Sequence, residues 1–171
     1  MDVQIIDDFL SPNDFHNLQE VMLGLEFPWF YVPGKSSPRE NQLNKKVFQF
    51  GHVFYSEYSW RSQYGGLLDP ILQLLNPVAI FRIKANLTTI TDTKIQYDYH
   101  RDTGSITLKS KTACFYINTN NGHTVLSTGQ EINSVANRIA IFDSSLWHAG
   151  TSCTDESIRV MINLNYFTSS I

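Results

Sequence analysis

Residues 157–166 restrict the fold of this chain more than any other stretch. Arg159, Met161, Asn163 and Asn165 alternate there with Val160, Ile162, Leu164 and Tyr166. A two-residue period is that of a β-strand, whose successive side chains leave on opposite faces. One face is apolar enough for a core. The other is too polar for one and suits the wall of a site. The same pattern recurs in residues 80–88, where Arg82, Lys84, Asn86 and Thr88 share a face, and in 112–118, where Tyr116 shares one with Thr112, Cys114 and Asn118. The N-terminal part has a different rhythm. Ser11-Pro12-Asn13-Asp14 has the form of a helix start, with Ser11 as N-cap and Pro12 at the first helical position. Phe15, Leu18, Val21, Met22 and Leu25 follow at helical spacing. Residues 47–55 read as a strand and 67–75 as a short helix closed by Asn76-Pro77. From Ala79 onward the chain is mostly strands and turns. Helices first and strands after predict a mainly β protein with flanking helices packed on an antiparallel sandwich. At 171 residues the length suits one domain with a substantial core.

The chemistry-bearing residues lie in the strand-rich part. His100 and Asp102 are two apart, so on an extended strand both would face one ion while Arg101 points away. A third ligand must come from a neighbouring strand, and His148, forty-six positions after Asp102, is the candidate. Two imidazoles and one carboxylate, with other coordination positions open, suit a non-haem ferrous oxygenase. Arg159, eleven residues past His148 on the polar strand face, could hold a carboxylate through two charge-assisted hydrogen bonds. An outward arginine on an edge strand is the other reading.

Together, His100-x-Asp102, His148 and Arg159 resemble the motif of the Fe(II)- and 2-oxoglutarate-dependent dioxygenases. The resemblance is to their prolyl-hydroxylase-like branch and to small single-domain oxygenases of phage and bacterial genomes. It extends to Ile5-Ile6-Asp7-Asp8-Phe9-Leu10-Ser11, similar to the family's first strand and helix start. It also covers Thr112–Asn118, Asn137–Ser144, and Gly122-His123-Thr124, where His123 stands in place of a second glycine. The resemblance implies a double-stranded β-helix, a jelly-roll or cupin-like core, with the metal at one open end. It implies Fe(II) on His100, Asp102 and His148, 2-oxoglutarate as co-substrate, and O2. Substrate hydroxylation would release succinate and CO2. Asp102 stands where halogenating relatives carry a small residue, which favours oxidation over halogenation. Arg159 and Tyr116 would grip the distal carboxylate of 2-oxoglutarate. Asn86 would contact its metal-side carboxylate, and Asn163 occupies the position of a small polar pocket residue. Tyr116 as a core aromatic is the alternative, and Arg82 is expected to face solvent. The whole chain, 1–171, would then be one oxygenase domain. Residues 1–78 would supply support and a lid, and 79–171 the jelly-roll strands and metal site.

Composition narrows the classes. Net charge is −3, with no basic run that could track phosphates, so nucleic-acid binding has no electrostatic support. No apolar run approaches the roughly 20 residues of a membrane span, and no signal-peptide pattern opens the chain. Two cysteines, Cys114 and Cys153, make no disulfide framework, so a reducing, cytoplasmic setting is expected. Thirteen asparagines hint at an AT-rich source genome. Residues 31–46, with Pro33, Gly34 and Pro38, read as a long loop after Phe27-Pro28-Trp29-Phe30. That loop would be a substrate-selecting lid, or a surface loop without a role. A peptidyl side chain, an amino acid, a nucleobase or a small metabolite would each fit as substrate. Two other functional readings stand beside the oxygenase: a different metal-dependent cupin-like enzyme, and a non-catalytic jelly-roll binding or structural protein.

Overall fold

The computed structural model describes residues 2–33, 48–102 and 110–169. Strand β1 (Gln4–Ile6) leads into helix α1 (Pro12–Leu23). Ser11 caps that helix by accepting a hydrogen bond from the Asp14 amide. The helix ends at Gly24, before the expected stripe is complete, so Leu25 is 101% exposed instead of continuing the apolar face. Strands β2 (Phe30–Val32), β3 (Gln49–Ser56) and β4 (Ser59–Trp60) follow. Then come a 3₁₀ turn (Gly65–Leu68) and helix α2 (Asp69–Leu75). Tyr31 and Val32, expected in a loop, form the edge strand with β3. The rest of the expected lid, 34–46, lies outside the described residues.

The remaining strands build the jelly roll. They are β5 (Ala79–Thr89), β6 (Ser110–Tyr116), β7 (His123–Leu126), β8 (Glu131–Asn133), β9 (Ile139–Asp143), β10 (His148–Gly150) and β11 (Ile158–Phe167). The major sheet runs β1-β9-β6-β11-β5-β3-β2, with β4 on β3, and the minor sheet β10-β7-β8. Residues 96–100 extend the minor sheet beside β10 through two antiparallel bridges, Gln96 to Thr151 and His100 to His148. From β5 onward the chain crosses repeatedly between the two sheets, which is the double-stranded β-helix expected from the sequence.

The alternation read in the sequence explains how the major sheet is used. Its outer face carries Ile83, Ala85, Leu87, Phe115, Val160, Ile162 and Leu164. These pack against Leu18, Met22, Leu68 and Ile71 from the two helices and the 3₁₀ turn. Phe115 is fully buried, with its ring edge against Phe15 at 6.1 Å. Such burial contributes about 1.5–3 kcal/mol per large side chain. The inner face meets the minor sheet over a smaller cluster that includes Cys114, Tyr116, Leu126, Ile132, Phe142 and Met161. Where β6 ends, Asn118 takes the place of a backbone partner: its side chain donates to Ile158 O at 2.7 Å and accepts from Val160 N at 2.9 Å. Both cysteines are free and buried. No described helix is long and apolar enough to cross a membrane.

One core residue, His52, should give the stability of the fold a pH dependence. His52 is 5% exposed, packs 4.5 Å from the Phe27 ring, and bonds Pro28 O at 2.8 Å and Ser62 Oγ at 2.7 Å. Burial lowers its pKa, partly countered by the bond to Pro28. The folded protein therefore binds fewer protons here than the unfolded chain, so stability rises with pH. The contribution should be complete above about pH 6.5 and be lost as pH falls through the depressed folded value. Denaturation midpoints measured across that range should fall toward acid. His52→Gln, which does not titrate, should flatten the slope, and an unchanged slope would contradict this assignment.

Candidate metal centre

His100, Asp102 and His148 converge. Their ligand atoms all lie within 4.8 Å of one another. His148 Nε2 is 3.4 Å from Asp102 Oδ2, and His100 Nε2 is 3.8 Å from Asp102 Oδ1. Two ligands about 2.1 Å from an ion at right angles would be about 3 Å apart, so the set is slightly more open than a filled site. The two histidines are backbone neighbours: each amide donates to the other's carbonyl, at 2.9 and 3.0 Å. The expected strand geometry is replaced by this bridge at His100 and a turn at Asp102.

The donor chemistry fits a divalent transition metal. Each imidazole Nδ1 faces a backbone carbonyl, Leu146 O at 3.1 Å for His148 and Asp98 O at 3.2 Å for His100. An Nδ1–H donating there leaves the Nε2 lone pair for a metal. Asp102, with its side chain 2% exposed, is held by several donors. Arg82 Nη2 reaches Oδ1 at 3.1 Å, while the Asn163 and Asn165 amides reach Oδ2 at 3.0 and 3.1 Å. Burial pushes the Asp102 carboxyl up, but the hydrogen bond and charge of His148, with Arg82 and His100, hold it well below the usual carboxylate range.

Arg82, expected to face solvent, therefore belongs to the site. Arg82 keeps the alternation of Lys84, Asn86 and Thr88 on β5, opposite Asn165 of β11, so it shares their cavity face, where Asp102 meets it. Arg101, expected to point away, lines the cavity, with its guanidinium 4.8 Å above the Trp147 ring.

A cavity of about 240 Å³ opens from this cluster. Arg159 lines it, 2% exposed and paired with no acid among the described residues. Its guanidinium is steered by Ser134 Oγ at 2.8 Å and Thr124 Oγ1 at 3.3 Å. Gly122 makes room for it, since a Cβ there would come within 2.6 Å of Arg159 Cδ. Tyr116 is fully buried behind this wall and reaches the cavity indirectly, its hydroxyl donating to Thr124 Oγ1 at 2.9 Å. Thr124 thus accepts from both Tyr116 and Arg159, which leaves its own O–H to donate into the cavity. Thr88, opposite Arg159 on β5, has a buried Oγ1 that meets no hydrogen-bond partner among the described residues. Asn86 and Asn163 both line the cavity.

Thr124, Thr88, Asn165 and Gln49 are site residues that the sequence reading did not single out. Thr88 and Asn165 stand on the polar faces already recognised, and Thr124 in the Gly122-His123-Thr124 segment. Nothing in the sequence marks Gln49.

No family model matches the chain, and no curated protein matches it. Solved structures do. An oxidoreductase of the 2OG-Fe(II) oxygenase family from Burkholderia pseudomallei aligns with TM-score 0.69 at 8% identity, over 96% of this chain and 84% of that one. The viral collagen prolyl hydroxylase vCPH of Paramecium Bursaria Chlorella virus-1 aligns with TM-score 0.61 at 12% identity, over 98% and 96%. The non-haem alpha-ketoglutarate-dependent epimerase SnoN of nogalamycin biosynthesis aligns with TM-score 0.66 at 10% identity, over 98% and 78%. The fold is therefore that of 2-oxoglutarate–Fe(II) oxygenase structures.

Proposed function

We propose that this chain is a non-haem, Fe(II)- and 2-oxoglutarate-dependent oxygenase, most simply a hydroxylase of a small molecule or peptide side chain. One observation carries the reading: a His-Asp-His cluster and a buried arginine that meets no acid among the described residues line the same cavity. A buried unpaired guanidinium is costly, and a co-substrate with a carboxylate at each end would satisfy both ends of this cavity. The fold of the similar structures supports the same reading. In it, residues 1–171 act as one oxygenase domain, with the strands of 79–171 carrying the site on the support of 1–78.

His100, Asp102 and His148 would hold the iron. Ferrous iron with 2-oxoglutarate, when bound, supplies the activation of dioxygen, with release of succinate and CO2. Asp102 enters already ionised and fixed in orientation, because Arg82, Asn163 and Asn165 donate to it. Arg159 and the Thr124 hydroxyl would hold the distal carboxylate, with Tyr116 setting the direction in which Thr124 donates. Asn86 and Asn163 are placed to contact the metal-side half. Cys114 and Met161 give the same cavity an apolar patch that excludes water.

Purified protein supplied with Fe(II), ascorbate and 2-oxoglutarate should form succinate above an iron-free control. Asp102→Ala should not. A wild-type protein that neither binds 2-oxoglutarate nor forms succinate would refute the proposal. An epimerase among the similar structures makes product analysis, in addition to succinate, the measure of whether oxygen is inserted.

A further inference from the structure

The cavity contains more positive charge than iron and 2-oxoglutarate would use. Arg82, Lys84, Arg101 and Arg159 all line it, against the single carboxylate of Asp102. Arg82 is paired with Asp102, and Arg159 is the natural partner of the co-substrate. Arg101 lies over Trp147 at the rim. Lys84 is different. It stands on the cavity face of β5 and makes no hydrogen bond or ion pair among the described residues. Space has been left for it: a Cβ on Gly51 of β3 would come within 2.8 Å of Lys84 Cε and 3.4 Å of Nζ. Gln49, two residues before Gly51, and Asn86, opposite Gly51 in the β3–β5 register, line the same cavity. Arg159 leans the other way, toward Thr124 and Ser134. The two side chains lean apart from neighbouring strands of the same sheet, Lys84 toward β3 and Arg159 toward β7, and can grip two different anionic groups.

We propose that Lys84, with Gln49, forms a second anion subsite that takes a carboxylate or phosphate group of the substrate. This rests on the oxygenase reading and names its substrate class: a small anionic molecule, held by its charged end on the β3 wall with the rest directed to the metal. An ammonium in a partly desolvated cavity gains most from a charged acceptor, which a neutral substrate would not supply. Gly51 then leaves the end of the lysine its present place, because a side chain there would make Lys84 Cε shift.

The test uses the full chain loaded with Zn(II) in place of iron and saturated with 2-oxoglutarate, so that the Arg159 wall is filled. Inorganic phosphate and acetate are titrated separately while the Gly51 amide is followed by NMR. At least one should shift it saturably, and which of the two binds more tightly separates a phosphorylated from a carboxylic substrate. Lys84→Met should weaken that binding at least tenfold and leave 2-oxoglutarate affinity within about twofold. Lys84→Arg, which keeps the charge, should restore most of it. Absence of a saturable response to either anion in the wild-type complex would overturn the subsite. So would a tenfold loss of 2-oxoglutarate affinity in Lys84→Met, because Lys84 would then belong to the co-substrate. Failure of the wild-type metal-loaded protein to bind 2-oxoglutarate at all is a separate result, and it refutes the oxygenase reading instead.

Discussion

Asp102→Ala should abolish tight metal binding. Removing a group that only orients a metal ligand typically lowers affinity about 10–100-fold, and loss of a charged ligand should exceed that range. The structure adds a second consequence. Asp102 is the acceptor for Arg82, Asn163 and Asn165, so its removal leaves a guanidinium and two buried amides facing the gap. Calorimetry with Zn(II) measures the first effect and thermal unfolding of the metal-free protein the second. The two should separate in Asp102→Asn, which keeps the shape but removes the charge. His100→Ala and His148→Ala should also lose metal. Of these two, His148→Ala should perturb folding more, because His148 is buried and packs 5.1 Å from the Phe142 ring. Zn(II) affinity unchanged in Asp102→Ala would show that the cluster is not a metal site.

Arg159→Met should cost about 2–5 kcal/mol of 2-oxoglutarate binding, the range for breaking a buried hydrogen-bonded charge pair. That is roughly a 30-fold to several-thousand-fold loss. Zn(II) affinity should be unaffected, which distinguishes a co-substrate residue from one that supports the metal. Arg159→Lys should fall between, since an ammonium cannot present the two parallel donors of a guanidinium. Gly122→Ala provides an independent approach to the same site. It leaves the arginine in the sequence but places a methyl where Arg159 Cδ now passes, and it should lower co-substrate affinity without altering any charge. If calorimetry on the Zn(II) protein finds 2-oxoglutarate affinity in Arg159→Met within about threefold of wild type, the carboxylate is held elsewhere.

Much of this architecture was legible in the chain because a strand's period is insensitive to context. The alternation in β11 assigned Val160, Ile162 and Leu164 to the outer core and Arg159, Met161 and Asn163 to the cavity, and the structure has both sets where the alternation put them. The Ser11 cap and Pro12 marked the start of α1 because capping is a local hydrogen bond. His100, Asp102 and His148 were also readable as a group, and they do converge, although through a bridge and a turn and not along the single strand that the two-residue spacing suggested.

What the sequence could not decide is how side chains are shared between strands far apart in the chain. Arg82 looked like a surface residue because its own strand gives no sign of Asp102, twenty positions later. The turn at Asp102 brings its carboxylate onto the cavity face of β5, within 3.1 Å of Arg82. Tyr116 could be assigned to a face, but only the packed β6–β7 wall shows that Thr124 stands between its hydroxyl and the cavity. Gly122 and Gly51 are two glycines in a list until Arg159 and Lys84 are seen to occupy the space their missing side chains leave. Periodicity assigns a residue to a face. Which neighbour it meets there depends on register, turns and close approach, and these are properties of the folded sheets.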